Sequence, residues 1–300
     1  MDRRLAYLQA LAVPVYVRRR AVPATAGGTT DGEVCGPTEP ETAVGADPGF
    51  RTASADEARP GARLDAIGAD AYASRAVPAG ASGGGAGEAA AVAGEADAAA
   101  RRQRIAGLGW TEVEGEVREC RACGLCASRT QTVFGVGDRA ARLMIVGEAP
   151  GAEEDRQGEP FVGRAGQLLN AMLRAAGFDR SQVYIANVLK CRPPGNRDPG
   201  PEEAGHCLPF LYRQIELVAP RLILCVGRVA AHHLLDTDMP LGRLRGRVHS
   251  LGPRAVPVVV TYHPAYLLRT PGDKRKAWDD LKFALECMRH GHCAGSPGTT

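Results

Sequence analysis

Four cysteines are spaced so that a folded chain could bring them to one metal centre. Cys120 and Cys123 form a C-x2-C pair, 67 residues separate Cys123 from Cys191, and 15 residues separate Cys191 from Cys207. Cysteine thiolates bind both zinc and iron–sulfur clusters. A near pair and two distant cysteines can meet only if the intervening chain folds back. The spacing therefore predicts a metal centre built into a larger α/β domain, not a free-standing zinc finger.

Two other cysteines fit this pattern less well. Cys225 lies inside an apolar strand pattern, where cysteine usually acts as a small core residue. Cys126 extends the first pair to C-x2-C-x2-C, but Thr130 stands where a ferredoxin pattern needs its fourth cysteine. Spacing alone leaves zinc and an iron–sulfur cluster open.

Two sequence motifs follow predicted strands and could line a ligand pocket. Gly147-Glu-Ala-Pro-Gly151 comes after the apolar run 142–146, and His263-Pro-Ala-Tyr-Leu-Leu-Arg269 comes after the run 256–261. Asn187 ends a third apolar run. Because ligands bind at the carboxyl ends of parallel strands, we expect these residues to converge.

The elements that would position these motifs alternate between strands and helices from Trp110 onward. Helix starts such as Pro-Glu-Glu at 201–203 separate the apolar runs. Predicted strands cover 142–146, 183–188, 222–226 and 256–261, and predicted helices cover 163–177, 201–218, 229–235 and 273–289. The pattern predicts a three-layer αβα fold with a central, mainly parallel sheet.

The first third of the chain has a different composition. Residues 1–20 are predicted to form a short amphipathic segment, because Pro14 interrupts an apolar stretch that lacks the pattern of a signal peptide. Residues 21–105 are rich in Ala and Gly and are predicted to be a disordered linker. The folded domain is predicted to cover 106–290, with a disordered tail at 291–300.

Charge divides the chain in the same way. Residues 1–100 carry 9 basic and 13 acidic side chains, a net charge of −4, so the overall +3 leaves +7 for residues 101–300. A basic folded part is compatible with a polyanionic partner. No export signal is recognised, so we expect metal ligation rather than disulfides and a cytoplasmic location. No membrane association is expected, because the N-terminal apolar stretch is too short to span a bilayer.

The motifs together resemble those of the family 4 uracil-DNA glycosylases, which carry a [4Fe–4S] cluster. The resemblance covers about Cys120 to Met288. The matching motifs are Cys120-Arg-Ala-Cys123, Arg129-Thr130, Leu143–Gly151, Glu153-Glu154-Asp155, Gly158–Gly166, Asn187–Pro194 and His263–Arg269. The resemblance implies a base excision repair enzyme that flips uracil out of DNA and hydrolyses its N-glycosidic bond, leaving an abasic site.

The resemblance also implies the ligands of the cluster. By motif position they are Cys120, Cys123, Cys191 and Cys207, with Cys126 as the alternative to Cys123. Zinc is the alternative metal. The implied role of the cluster is structural, since it would join the loops around the DNA groove to the α/β core.

Three side chains of the uracil pocket follow from the same resemblance. Phe161 is expected to stack on the flipped base. Asn187 is expected to recognise the edge of uracil by accepting a hydrogen bond from N3–H and donating one to O4. His263 is expected to donate to O2, where negative charge develops.

Water activation is less well defined by the motifs. Ala149 stands where some relatives carry an aspartate that orients the water, so Glu148 and Glu154 are the candidate carboxylates. We expect Glu148 and Ala149 to shape the uracil pocket and Glu154 to contact water or the sugar.

The expected partner is uracil-containing DNA, single- or double-stranded, bound by a monomer. Predicted DNA contacts are Lys190, Arg192, Leu267, Leu268 and Arg269. The N-terminal segment could dock a replication or repair protein. The alternative is a uracil-DNA-binding or trapping protein without turnover, although the loop 192–200 lacks the Lys-Arg-Arg-Ile-His insertion of trapping relatives.

Overall fold

A six-stranded mixed sheet forms the centre of the protein in the computed structural model, which describes residues 85–290 with side chains from 96 to 289. The sheet order is β1-β3-β2-β4-β6-β5. Its strands are β1 (Val136–Gly137), β2 (Leu143–Gly147), β3 (Tyr184–Asn187), β4 (Leu222–Val226), β5 (Val248–Leu251) and β6 (Val256–Thr261). The four central strands are parallel, and β1 and β5 are antiparallel edges. The predicted mainly parallel sheet is confirmed.

Helices cover both faces of this sheet. They are α1 (Gly85–Ala106), α2 (Trp110–Glu119), α3 (Ala152–Gln157), α4 (Arg164–Ala176), α5 (Pro201–Val218), α6 (Arg228–Leu235), α7 (Leu241–Leu244), α8 (Pro264–Arg269) and α9 (Lys274–His290). Side chains alternate between the two faces of a strand. Leu143 and Ile145 of β2 accordingly pack with α4 and α9, and Met144 and Val146 pack with α5 and α6. This is the predicted αβα arrangement.

Helix α1 begins inside the stretch that was predicted to be a linker. Ile105, near its end, is fully buried against Val113 and Phe210, and Arg101 Nη1 donates to the carbonyl of His206 on α5 at 2.9 Å. The alanine-rich sequence favours a helix, and the apolar residue Ile105 packs this helix against the rest of the domain. The predicted boundary at residue 106 is therefore wrong. The predictions for residues 1–20, for the linker up to residue 84 and for the tail 291–300 lie outside the described residues.

None of the helices between residues 85 and 290 has the length and apolarity needed to cross a membrane.

A buried ion pair ties the end of β6 to α9. Arg245 donates to the two carboxylate oxygens of Asp280 from Nε at 2.7 Å and from Nη2 at 2.9 Å, and Thr261 Oγ1 donates to the same carboxylate at 2.7 Å. Asp280 is 3% exposed, and burial raises its pKa although Arg245 and Thr261 act in the opposite direction. The pair fixes the strand end that precedes His263.

We expect Asp280→Ala to lower the free energy of unfolding by about 3–5 kcal/mol, because it leaves the largely buried Arg245 charge without its partner. Asp279→Ala is the matched control. It removes an exposed carboxylate that pairs with Lys282, and its effect should stay below about 1 kcal/mol. Urea unfolding followed by circular dichroism measures both, and equal effects would contradict this account.

Candidate active site and cysteine centre

The carboxyl ends of the parallel strands bring the predicted pocket residues together. Gly147 of β2 lies beside Asn187 of β3 in the parallel register. A Cβ atom added at Gly147 would lie 2.4 Å from Asn187 Oδ1 and 2.7 Å from the Phe161 ring. The Phe161 ring centroid in turn lies 5.7 Å from that of His263. The convergence expected from the strand ends is therefore present.

Asn187 offers an acceptor that has no hydrogen-bond partner among the described residues. The residue is 2% exposed, and Oδ1 is one of two buried side-chain polar atoms without a hydrogen bond among the described residues. Burying a polar atom without a hydrogen bond is costly, so the site favours a ligand that presents an N–H group to Oδ1.

His263 is held as a neutral imidazole with one defined tautomer. The backbone N–H of Ala265 donates to Nδ1 at 3.1 Å, so the proton of the neutral ring lies on Nε2. Burial, assisted by the positive charge of Arg269, lowers the pKa of His263 to about 4, although Glu154 acts in the opposite direction. At neutral pH the ring can therefore donate from Nε2 without carrying a charge.

Phe161 occupies a backbone conformation that bulky residues rarely adopt. Its φ is 55°, in the left-handed region, and its side chain is 6% exposed. Gly166 on α4 permits close packing, since a Cβ there would lie 1.8 Å from the carbonyl oxygen of Phe161. The ring faces the space next to Gly147.

Glu148 is a half-buried carboxyl group at the pocket edge. Burial, followed by the neighbouring Asp198 carboxylate, raises its pKa to about 7, and Arg228 opposes the rise. Glu148 is therefore partly protonated near neutral pH. The next residue, Ala149, packs against the core on the α5 side of the sheet and carries no group that could orient water.

Glu154 binds backbone groups of two loops at the pocket. Its Oε1 accepts from the backbone N–H groups of Val162 at 3.0 Å and Gly163 at 3.1 Å, and its Oε2 accepts from Gly151 at 3.1 Å. The carboxylate thus binds the backbone of the pocket loops, and its predicted contact with water or the sugar stays a prediction.

Two of the predicted DNA contacts are wrong, because the side chains are buried. Lys190 is 1% exposed, Leu267 is fully buried in the core, and neither can reach DNA. Lys190 Nζ instead donates to the carbonyl of Asn187 at 2.9 Å and to Gln214 Oε1 at 2.6 Å, and burial lowers its pKa to about 7. One sequence signal could have indicated the burial of Lys190, because this residue directly follows the apolar residues Val188 and Leu189 after β3. Arg192 and Leu268 are half-buried and Arg269 is exposed, so their contacts stay predictions.

The four predicted cysteine ligands lie in one locality. Cys191 and Cys207 are buried, and Cys120 and Cys123 are half-buried. Burial raises the pKa of Cys207 to about 12, with further upward contributions from Cys191 and Cys123. Burial also raises the pKa of Cys123, and the neighbouring Cys120 and Cys126 thiols raise it further. These mutual effects show that thiols from separate segments face a common region.

Arginine side chains donate to two of these sulfurs. Arg129 Nη1 lies 3.0 Å from Cys191 Sγ, and Arg101 Nη2 lies 3.9 Å from Cys120 Sγ. Neither arginine was singled out from the sequence as a partner of the cysteines. Both would offset the negative charge of thiolate ligands.

The donor set offered by the predicted ligands consists of thiols only, which suits either a zinc ion or an iron–sulfur cluster. Between residues 96 and 289, no three or more His, Cys, Asp or Glu side chains are arranged to hold a metal ion. In a zinc site, every sulfur ligand lies about 2.3 Å from the same metal ion. In a four-iron cluster, the four thiolates bind different irons. The four thiols come from three segments of the chain, around residues 120–123, 191 and 207.

The fold and the pocket at its strand ends define an enzyme of the uracil-DNA glycosylase class, and a model of the "Uracil DNA glycosylase superfamily" matches residues 134–282. The chain is 44% identical over 177 residues to the type-4 uracil-DNA glycosylase of Archaeoglobus fulgidus, covering 57% of this chain and 89% of that protein. It is 46% identical over 181 residues to the type-4 uracil-DNA glycosylase of Thermotoga maritima, covering 59% and 93%. The chain belongs to the type-4 uracil-DNA glycosylase family.

The raised pKa of Glu148 predicts a pH-dependent stability. Its folded pKa of about 7 lies above the ordinary 4.5, so ionisation is unfavourable in the folded state. The stability from protonated Glu148 is full below pH 4.5 and is lost as the pH rises through 7. Glu148→Gln carries no ionisable group. We expect the variant to gain stability relative to the natural protein between pH 5 and pH 8.

Urea unfolding at pH 5, 6, 7 and 8 measures this difference. Glu153→Gln, which removes an exposed carboxylate from the neighbouring helix α3, serves as the control and should show no such trend. A difference for Glu148→Gln that does not change with pH would refute the prediction.

Proposed function

We propose that the protein hydrolyses the N-glycosidic bond of uracil in DNA and leaves an abasic site, as an enzyme of base excision repair. The observation that carries the proposal is the buried, unpartnered Oδ1 of Asn187, located beside Phe161 and a neutral His263. The relatives named as type-4 uracil-DNA glycosylases support the same activity.

Base recognition follows from the hydrogen-bonding groups of Asn187. Its Oδ1 accepts from N3–H of uracil, and its Nδ2 donates to O4. Cytosine presents an acceptor at N3 and an amino group at position 4, so both contacts would be mismatched. Phe161 stacks on the base once it is extruded from the helix. The missing side chain at Gly147 leaves room for the base edge.

Bond cleavage depends on stabilising the departing uracil anion. Negative charge develops on O2 as the bond to the sugar breaks, and His263 donates to it from Nε2. A neutral donor that is already oriented in a low-dielectric site requires no reorganisation during the reaction. The low pKa of His263 keeps the ring in this form at neutral pH.

Glu148 is the carboxyl group that we assign to the sugar side of the reaction. With a pKa near 7, a large fraction is ionised at neutral pH and above. The carboxylate stabilises the positive charge on the sugar or orients the attacking water. Glu154 is not assigned this role, because its carboxylate oxygens accept hydrogen bonds from three backbone N–H groups.

The cysteine centre is proposed to hold a [4Fe–4S] cluster on Cys120, Cys123, Cys191 and Cys207, with zinc as the alternative. When bound, the cluster would cross-link three segments of the chain, and no step of hydrolysis passes through it. Arg192, Leu268 and Arg269 are proposed to contact single- or double-stranded DNA. We further propose a cytoplasmic monomer whose N-terminal segment docks a replication or repair protein.

The activity test uses the full chain, purified anaerobically, and a labelled oligonucleotide that contains one uracil. Alkali cleaves the abasic sites that form. We expect multiple turnovers, and a loss of about 100-fold or more in kcat for His263→Ala, because one aligned donor to a developing anion is removed. Asn187→Ala should lose activity on uracil as well. His232→Ala, which removes a surface imidazole on α6, is the control and should retain full activity.

Two outcomes would contradict turnover. No cleavage by a cluster-loaded protein would favour a binding protein, and a protein–DNA band that resists denaturation would favour a trapping protein.

The pocket also predicts a steric test. Gly147→Ala places a methyl group 2.4 Å from Asn187 Oδ1 and 2.7 Å from the Phe161 ring, so the uracil edge can no longer enter. We expect excision to fall at least about 100-fold. Gly205→Ala on α5 meets no atom within 4 Å and should leave excision unchanged. Equal activity of both variants would exclude Gly147 from the pocket.

A further inference from the structure

The backbone conformation of Phe161 needs external support. A φ of 55° is unfavourable for a bulky residue, and such a conformation persists only where surrounding contacts hold it. We define the Phe161 loop as residues 159–163. Side chains from outside this loop bind it on two sides, and none of these contacts is needed for the chemistry described above.

Glu154 holds the loop after Phe161. Its Oε1 accepts from the N–H groups of Val162 at 3.0 Å and Gly163 at 3.1 Å. Its Oε2 accepts from Gly151 at 3.1 Å, at the beginning of α3. One carboxylate therefore joins the Phe161 loop to the Glu148–Gly151 loop of the pocket.

Arg180 holds the loop before Phe161. Its Nη2 donates to the carbonyl of Pro160 at 2.5 Å and to Glu159 Oε1 at 2.9 Å. Its Nη1 donates to Asn170 Oδ1 on α4 at 3.2 Å, which fixes the guanidinium relative to the core. The peptide groups on both sides of Phe161 are thus bound by charged side chains.

Helix α3, which carries Glu154, has its own anchor. Asp155 is buried, and its two carboxylate oxygens lie 2.9 and 3.1 Å from the backbone N–H of Thr130. Thr130 directly follows Arg129, which donates to Cys191 Sγ. The support of the loop therefore extends to the segment beside the cysteine centre.

We propose that Glu154 and Arg180 are positioning residues that hold Phe161 in its left-handed conformation, so that the stacking face for uracil exists before DNA binds. The inference rests on the proposed function, in which Phe161 stacks on the base. A preformed face avoids the cost of ordering the loop during binding, and this saving strengthens the binding of the flipped base. Neither residue needs to touch the substrate.

The test compares Glu154→Gln and Arg180→Gln with matched controls. Glu153→Gln changes an exposed neighbour on α3, and Arg174→Gln changes an exposed arginine on α4; neither residue has a hydrogen bond to the described Phe161 loop. In Glu154→Gln, an amide N–H replaces one acceptor and faces a backbone donor. Both test variants should weaken inhibition by free uracil and lower kcat/KM by about tenfold, mainly through KM.

Amide hydrogen exchange supplies a readout that is independent of activity. We expect peptides covering 159–166 to exchange about tenfold faster in both test variants, with unchanged exchange in the central strands. Unchanged loop exchange, or faster exchange throughout the domain, would overturn the proposal. If the natural protein released no uracil, the proposed function would fail, and the exchange of the loop would still decide whether Glu154 and Arg180 hold it.

Discussion

The site depends on the parallel register between β2 and β3, which puts Gly147 beside Asn187. The absence of a side chain at Gly147 lets the Asn187 amide and the Phe161 ring approach the same space. A register shift by one residue would turn every side chain of β3 to the opposite face of the sheet. The core on both faces of β2 therefore specifies the pocket as well as the fold.

Burial sets the protonation states that this pocket uses. It lowers the pKa of His263 and raises the pKa of Glu148, which leaves a neutral hydrogen-bond donor beside Phe161 and a titrating carboxyl group after β2. It also lowers the pKa of Lys190, whose Nζ donates to the carbonyl of the pocket residue Asn187. In each case the low-dielectric surroundings disfavour the charged form.

The cysteine centre and the pocket share structural elements. Lys190 binds the Asn187 carbonyl and directly precedes Cys191 in the chain, and Arg129 contacts Cys191 while the next residue binds α3. Loss of order among the cysteines would therefore disturb Asn187 and helix α3. The cysteine centre and the pocket are therefore structurally coupled.

The sequence by itself determined the αβα class, the four central strands to within about one residue at each end, and the group of residues that meet at the strand ends. These features follow from local periodicity and from motif order. The short elements β1, α3 and α8 have too few residues for a clear period. The burial of Lys190 and Leu267, the partners of Glu154 and the packing of α1 were decided only by the tertiary structure. Each depends on which distant backbone or apolar group lies opposite the side chain, and no local pattern encodes that contact.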